Sequence, residues 1–527
     1  MLNLLRKSKY FVWLSFIAIF LILGSNVVLG AEKGGELYVS YSAQPYSLDV
    51  AQTPETSFVH TLIYETLVYY GEDNKYHGQL AKSWKFENGG KEVTFVLREG
   101  ITFHDGTPMN AEAVVFNFER LMNPDLASPA AGQIDTFEKI EANGEYEVTL
   151  YFETPISSLL YNLSQQFFAI QSPAAIKKYG EDYGQKAAVG TGHFMYESWN
   201  PGDKIVLTRF EDYNWAPSHY ENQGPAYLEK VILHNMPEQM TKMLALEQGD
   251  IHLTEIGTDH VERMKNNEKV RIKTQPVGRI NYLGLNCSKE PWDNPLVRRA
   301  IAHSIDREEI VEQALNGYAI ANPTPLSPTV LGHSKNLYDL APSENIEAGK
   351  ALLRKAGFKE NSEGWVNSEG EKLELEIMTY SEPPYPKLAQ IVREQIIKLG
   401  IDVNISTLES GTLLSKTPAG EHDAILIAYG WSDPDILIYF FHSKNLDRTN
   451  RVHYSNFVID MLLDEAQTIM EQDDRIEIYN NIQKILITDA PWVNLYTPYN
   501  VIGYRENLKG FKLGPRGDNL IHDCYID

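Results

Sequence analysis

Alternation of apolar and polar residues predicts several strands in the first half of the chain. Four segments alternate with period two or are rich in β-branched residues: Glu36–Ser40, Val93–Leu97, Glu147–Phe152 and Ile205–Phe210. Met109–Leu121 instead repeats its apolar positions at helical spacing, with Asn110 as the N-cap. Strands and helices are therefore predicted to mix along this half.

Helix-boundary signals are stronger after residue 290. Asn294 precedes a proline at a first helical position, and apolar residues follow at helical spacing. Asp306 opens a second helix, with Glu309 at the spacing of a capping box and Gly317 at the place of a C-cap glycine. Two further helices are predicted at 343–356 and 475–488.

A strand–helix–strand alternation lies between these helices. Glu374–Met378 and Ile401–Ile405 have strand patterns, and Pro386–Leu399 between them has a helical one. Such alternation is typical of an α/β lobe with a largely parallel sheet.

The first thirty residues have the pattern of a secretory signal peptide. Arg6, Lys7 and Lys9 precede the uncharged apolar run Phe11–Leu23, and small residues lead to Gly30–Ala31. This order predicts cleavage after residue 30, and an uncleaved membrane anchor is the alternative. Because position 31 is alanine, the protein is not predicted to be a Cys-linked lipoprotein.

Charge excludes one class of partner. The 527 residues include 47 Lys and Arg against 71 Asp and Glu, a formal charge of -24. Such an acidic surface repels phosphate backbones, so no nucleic-acid partner is expected.

The chain has two cysteines, Cys287 and Cys524. Export would permit a disulfide between them, provided that the C-terminus returns to the region of Cys287. Two free, partly buried thiols are the alternative.

No catalytic motif for a hydrolase, kinase or metalloprotease occurs, and no histidine pair has metal-ligand spacing. We therefore expect a binding protein, without a metal or cofactor, rather than an enzyme. Aromatic residues cluster in loop-like stretches, as at Tyr41 with Tyr46 and at Tyr429 with Trp431. These residues could provide stiff contact area for a ligand, and packing in a large core is the alternative.

Six blocks in order resemble the pattern of family 5 of the extracytoplasmic solute-binding proteins, the peptide- and nickel-binding receptors of ABC importers. They are Leu80–Trp84 with Val93–Gly100, Phe103–Pro108 with Ala111–Phe116 and Glu119–Arg120, Gly190–Gly192 with Tyr213–Trp215, Leu246–Asp250, Val297–Ile301 with Asp306–Arg307, and Trp431–Asp435. The match covers nearly all of the chain after residue 30.

The resemblance implies an α/β fold of two lobes joined by a hinge. The first lobe would hold residues 31–275 and the C-terminal return 495–527, with an extra subdomain at about 71–183. The second lobe would be 281–493. Crossing strands near 276–285 and 493–504 would join them, and would bring Cys524 back towards Cys287.

The resemblance also implies ligand-binding residues in an interlobe cleft. The segment around Trp431 and Tyr429 would line it, and Asp433 could bind a ligand amine. Because the insert between Trp431 and Asp433 is shorter than in the family, a turn or cap role for Asp433 is the alternative. His193 replaces a family proline, and would face the cleft entrance or fill a loop.

The expected ligand is an oligopeptide, which a monomeric receptor would deliver to an ABC permease. The family's carboxylate-binding Arg is missing after Glu374–Met378, where Glu382 stands instead. This favours longer peptides held through their backbone, or a cationic ligand between Glu382 and Asp433. Nickel, a metal chelate or another small solute is the alternative, and a bilobal hydrolase is a rival from another class.

Overall fold

The computed structural model describes residues 34–73 and 75–527. The predicted signal peptide lies outside these residues. The strands are β1 Glu36–Tyr41, β2 Val68–Tyr70, β3 Tyr76–Gly78, β4 Ala81–Glu87, β5 Glu92–Leu97, β6 Phe137–Ala142, β7 Glu147–Phe152, β8 Phe194–Asn200, β9 Lys204–Arg209, β10 Lys230–Asn235, β11 Leu253–Glu255, β12 Val270–Pro276, β13 Arg279–Leu285, β14 Ala319–Ala321, β15 Lys359–Asn361, β16 Gly364–Val366, β17 Glu374–Tyr380, β18 Asp402–Leu408, β19 Ala424–Gly430, β20 Trp492–Arg505, β21 Leu508–Lys509, β22 Lys512–Leu513, β23 Asn519–Leu520 and β24 Tyr525–Ile526.

The helices alternate with these strands through most of the chain. They are α1 Phe58–Ile63, α2 Ala111–Leu121, α3 Leu159–Leu163, α4 Pro173–Tyr179, α5 Gln239–Gln248, α6 Val261–Lys265, α7 Pro295–Ala302, α8 Arg307–Leu315, α9 Ile346–Lys355, α10 Tyr385–Ile397, α11 Ser410–Lys416, α12 Ile436–Phe441, α13 Phe457–Thr468 and α14 Gln472–Asp489. Among the described residues, no helix is both long enough and apolar enough to cross a bilayer.

Local helix signals are confirmed. Asn110 caps α2 by accepting from the backbone N–H of Ala113. The Asp306 side chain accepts from the N–H of Glu309 at the start of α8. That helix ends at Leu315, and its C-cap is Asn316, whose φ of 52° is left-handed, one residue before the predicted Gly317.

One sheet runs through both lobes, in the order β18-β17-β19-β13-β20-β11-β1-β10-β9-β8. In the first lobe, β1 pairs in parallel with β10 and β11, and its inward residues Leu37 and Val39 enter the core. Phe511, Ile521 and Cys524 of the C-terminal tail pack in the same core. The tail therefore lies against the first lobe.

A separate four-stranded sheet, β4-β5-β7-β6, lies within the range predicted for the extra subdomain. Phe95 and Leu150 from its strands pack with Phe118 from α2 in one apolar core. The helix covers one face of the sheet, and Phe210, Tyr213 and Trp215 from the rest of the first lobe complete the same core.

The second lobe has the predicted strand–helix–strand unit. β17 pairs in parallel with both β18 and β19, and α10 buries Leu388, Val392 and Ile396 against them. Within this lobe, the expectation of a largely parallel sheet is confirmed for β17, β18 and β19 and wrong for β13 and β20. β13 and β20 are antiparallel, because one enters the lobe from the hinge and the other returns to it.

β20 is the strand shared by the two lobes. Its residues 492–496 pair with β13, and its residues 499–505 pair with β12. The second crossing is the short link between β12 and β13. There the Gly278 carbonyl accepts from the Trp431 N–H at 2.7 Å.

Gly190 and Gly192 are needed for packing. A Cβ at Gly190 would lie 2.2 Å from the Ile63 carbonyl oxygen, and one at Gly192 would lie 2.4 Å from that of Leu62. The His104 ring is hydrogen-bonded to the same loop. Its Nε2 lies 2.8 Å from the Gly192 carbonyl oxygen, and its Nδ1 accepts from the Gly190 N–H. This motif therefore attaches the extra subdomain to α1.

The two cysteines are free thiols, so the disulfide that the resemblance made plausible is wrong in this structure. Cys524 is buried in the first-lobe core, whereas Cys287 packs beside a core of the second lobe. Although the tail returns to the first lobe, it stays on that lobe's side of the hinge.

Acidification is expected to destabilise the protein through His104. Burial lowers the pKa of His104 to about 4, whereas the unfolded chain titrates near 6.5. The unfolded state therefore binds more protons between these values, and the free energy of unfolding should fall as pH drops from about 6.5 towards 4. Urea denaturation at pH 7.5, 6.0 and 5.0 measures this fall. His104→Gln should make it shallower, and identical pH slopes for the two proteins would contradict the assignment.

Gly278→Ala is expected to destabilise the hinge. An added Cβ would lie 2.6 Å from Ser432 Oγ and 2.9 Å from the Trp431 carbonyl oxygen. The overlap should cost about 1–3 kcal/mol in the free energy of unfolding, measured by urea denaturation. Gly132→Ala is the matched control, because its Cβ would meet no atom within 4 Å. Equal stabilities of the two variants would refute the close packing at Gly278.

Candidate ligand-binding cleft

A cleft of about 1290 Å³ lies between the two lobes. Each lobe, both crossings and the extra subdomain contribute to its walls. The lining includes 54–56 and 255–260 from the first lobe, 277–279 and 498–501 from the crossings, 383–387 and 430–432 from the second lobe, and Tyr161 from the extra subdomain. Its volume exceeds that of a usual pocket for a drug-sized molecule.

Trp431 lies where the extra subdomain meets the second lobe. β19 runs apolar and buried through Ile427, and the chain then emerges at Trp431 in the cleft wall. The Trp431 ring lies 5.7 Å from that of Tyr161 and 5.9 Å from that of Tyr439. The predicted ligand residue Trp431 therefore stands in an aromatic cluster contributed by both sides.

The Tyr161 hydroxyl was not found by sequence reasoning. It accepts from the Ser432 N–H at 3.1 Å. Burial raises the pKa of Tyr161, so the hydroxyl keeps its proton and can donate it to a ligand. Its helix, α3, is too short to carry a periodic signal.

Two hydrogen bonds join the lobes directly. The N–H of Ser157 donates to the Gln467 carbonyl at 2.9 Å. Asn316 Nδ2 donates to Asp259 Oδ1, a cleft residue, at 2.9 Å. Because each bond joins the two lobes, the structure brings both walls within reach of one ligand.

Asp433 is buried and bound to Arg475. The Arg475 guanidinium donates to both Asp433 oxygens, at 2.6 and 3.2 Å, and to Asp435 Oδ1 at 2.6 Å. Burial raises the pKa of Asp433, and the charge of Arg475 opposes this shift. Two carboxylates thus share one guanidinium, and Asp433 does not line the cleft. Its amine-binding role stays a prediction.

Charged side chains in the cleft come mainly from segments that sequence reasoning missed. Glu55, Glu255 and Asp259 line the first-lobe wall, Lys387 lies opposite, and Arg279 stands at the crossing. Arg279 is an exposed residue at the start of β13. No local pattern distinguishes a strand's first residue at a hinge from one at any surface.

The other predicted ligand residues lie in different surroundings. Tyr41 is half-buried and lines a side cavity that adjoins the cleft, and Tyr46 is 69% exposed at the surface. Tyr429 packs on Phe440, with ring centroids 4.2 Å apart. Glu382 is exposed and immediately precedes the lining residue Pro383.

His193 lies inside the first lobe, not at the interlobe cleft. It lines a chamber of about 140 Å³ between the extra subdomain and the C-terminal tail. Its ring is 5.1 Å from that of His522, and burial lowers its pKa well below the usual range. Within the described part of the chain, no group of three or more His, Cys, Asp or Glu is placed to hold a metal ion.

A family model and curated proteins match this chain. The model of the bacterial extracellular solute-binding proteins, family 5, middle region, matches residues 75–447. The probable D,D-dipeptide-binding periplasmic protein DdpA of Escherichia coli K12 is 30% identical over 517 residues, covering 94% of this chain and 95% of that protein.

Solved structures are similar over the same extent. Helicobacter pylori DppA, in complex with the peptide STSA, has a TM-score of 0.74 at 28% identity, covering 93% of this chain and 98% of that one. Bacillus subtilis AppA, in complex with a nonapeptide, has a TM-score of 0.76 at 25% identity, with coverages of 94% and 100%. The predicted two-lobed α/β fold is confirmed. The chain belongs to family 5 of the bacterial extracellular solute-binding proteins.

Proposed function

We propose that this protein captures an oligopeptide in the interlobe cleft and delivers it to the permease of an ABC importer. The observation that carries the proposal is the size and composition of the cleft, about 1290 Å³ with walls from both lobes and the hinge. The similar proteins solved with a tetrapeptide and a nonapeptide support a peptide as the ligand.

Closure couples binding to recognition by the permease. A ligand that contacts both lobes stabilises the closed conformation by its differential affinity for that state. Trp431 and Tyr161 offer apolar area and one hydroxyl donor, while Glu55 and Arg279 offer charges for the peptide termini.

The proposed place of action is outside the cytoplasmic membrane. The signal-like residues 1–30 and the family, whose members are extracellular binding proteins, support export. With alanine at position 31, the mature protein would carry no acyl anchor at that residue. We expect it to act as a monomer.

Native mass spectrometry of freshly purified protein tests the function. We expect a heterogeneous mass excess that fragments into amino acids. Trp431→Ala should reduce peptide affinity by about tenfold, because an aromatic contact shared by both lobes is lost. Isothermal titration with the recovered peptides measures this loss.

Phe457→Ala is the matched control, because Phe457 is an aromatic residue of the second lobe that is 75% exposed and outside the cleft. It should leave the affinity unchanged. A single metal mass that a chelator removes, with no peptide, would refute the proposed ligand.

A further inference from the structure

A side cavity of about 530 Å³ adjoins the cleft on the first-lobe side. Glu55, Glu255, Arg279 and Asn500 line both cavities and so mark their junction. The walls beyond the junction come from β1 and the chain after it, from α1, α5 and β11. We name this cavity the lobe I annex. It is large enough for one or two residues of a peptide held in the cleft.

Lys242 is the charged residue of the annex beyond the junction. The other described residues that line the annex but not the cleft are uncharged. Lys242 lies on α5 and is 1% exposed. The inner part of the annex therefore carries positive charge, whereas carboxylates lie at its junction with the cleft.

The Lys242 ammonium has few partners for a buried charge. Its Nζ donates to Ser42 Oγ. Among the described residues Lys242 forms no ion pair, and Glu255 acts on its charge from a distance, without a hydrogen bond. Burial lowers the pKa of Lys242, which shows the cost of holding this charge away from water. Buried charges in proteins are normally paired, so the poorly paired Lys242 ammonium is suited to bind an anionic group.

Tyr41 adds a second unpaired donor. Tyr41 lines the annex, and its hydroxyl is buried without a hydrogen-bond partner among the described residues. Burial raises the pKa of Tyr41 to about 12, so the hydroxyl stays protonated. An ammonium has three donors, of which Ser42 accepts one. The annex thus offers a cation and several donors, the complement of a carboxylate.

We propose that the lobe I annex is a carboxylate-binding subsite in which Lys242 and Tyr41 hold a carboxylate of the bound peptide. The carboxylate comes from an acidic side chain or from the C-terminus. This inference rests on the proposed function. Lys242 would supply, from the first lobe, the cation that is missing from the loop after β17. The alternative is that Lys242 is a structural residue whose charge Glu255 stabilises from a distance.

Retention of defined peptides tests the subsite. Wild type, Lys242→Met and Tyr41→Phe are each incubated with tetrapeptides randomised over Ala, Ser, Gln and Glu, as free acids and as C-terminal amides. Retained peptides are quantified by mass spectrometry, and affinities by calorimetry. Lys230→Met is the control, since Lys230 is a first-lobe lysine paired with Glu197 outside the cleft and annex.

We expect wild type to prefer carboxylate-bearing peptides by about tenfold or more, the usual effect of a charge-assisted hydrogen bond. Lys242→Met should remove the preference, Tyr41→Phe should reduce it severalfold, and Lys230→Met should keep it. A preference for Glu over Gln that persists in the amidated peptides identifies a side-chain carboxylate. A preference for free acids over their amides, without one for Glu over Gln, identifies the C-terminal carboxylate.

Two results overturn the subsite alone: peptides retained by wild type without a carboxylate preference, or the same preference in Lys242→Met. Wild type that retains no peptide overturns the proposed function together with the subsite.

Ligand-free Lys242→Met should be at least as thermally stable as wild type, because a poorly paired buried charge is removed. Lower stability with unchanged preference assigns Lys242 a structural role. If Lys242→Met does not fold, an unchanged preference in Tyr41→Phe overturns the proposal.

Discussion

Both lobes are hydrogen-bonded to the same strand, β20, and the rest of the structure depends on that pairing. Its first residues pair with β13 in the second lobe, and its last residues pair with β12 in the first. Breaking the strand would release backbone donors and acceptors from both sheets, so the lobes must move by bending it. The β13–β20 register shifts between Asn281 and Tyr282, beside the crossing, and such an irregularity concentrates bending.

The close approach at Gly278 joins this hinge to the cleft. The same glycine that links β12 to β13 accepts from the Trp431 N–H. Trp431 in turn faces Tyr161 of the extra subdomain. A bend at the crossing therefore moves the aromatic wall of the cleft directly, which couples the position of the lobes to the shape of the binding site.

Buried charges separate the framework of the protein from its binding surfaces. Glu65 is buried but accepts hydrogen bonds from Tyr213, Trp215 and Thr191, at 2.8 to 2.9 Å. The aromatic motif at 213–215 is therefore structural. Lys242, by contrast, has a single hydroxyl partner and lines a cavity beside the cleft. A satisfied charge fixes one packing arrangement, whereas an unsatisfied one leaves a place for a ligand.

The sequence by itself determined what depends on neighbours along the chain. The periodicity of apolar residues predicted β5, β7 and α10, and the capping residue Asp306 predicted the start of α8. Both signals depend on residues that are close together in the sequence. Motifs in order supplied the fold class and Trp431. Only the tertiary structure decided that Asp433 faces Arg475, that His193 lies inside the first lobe, and that Arg279, Tyr161 and Lys242 line two adjoining cavities. The side chain of Asp433 is bound to Arg475, 42 residues away, and that of Tyr161 to Ser432, 271 residues away. Contacts at such separation are set by how β20 holds the two lobes together, which no local pattern encodes.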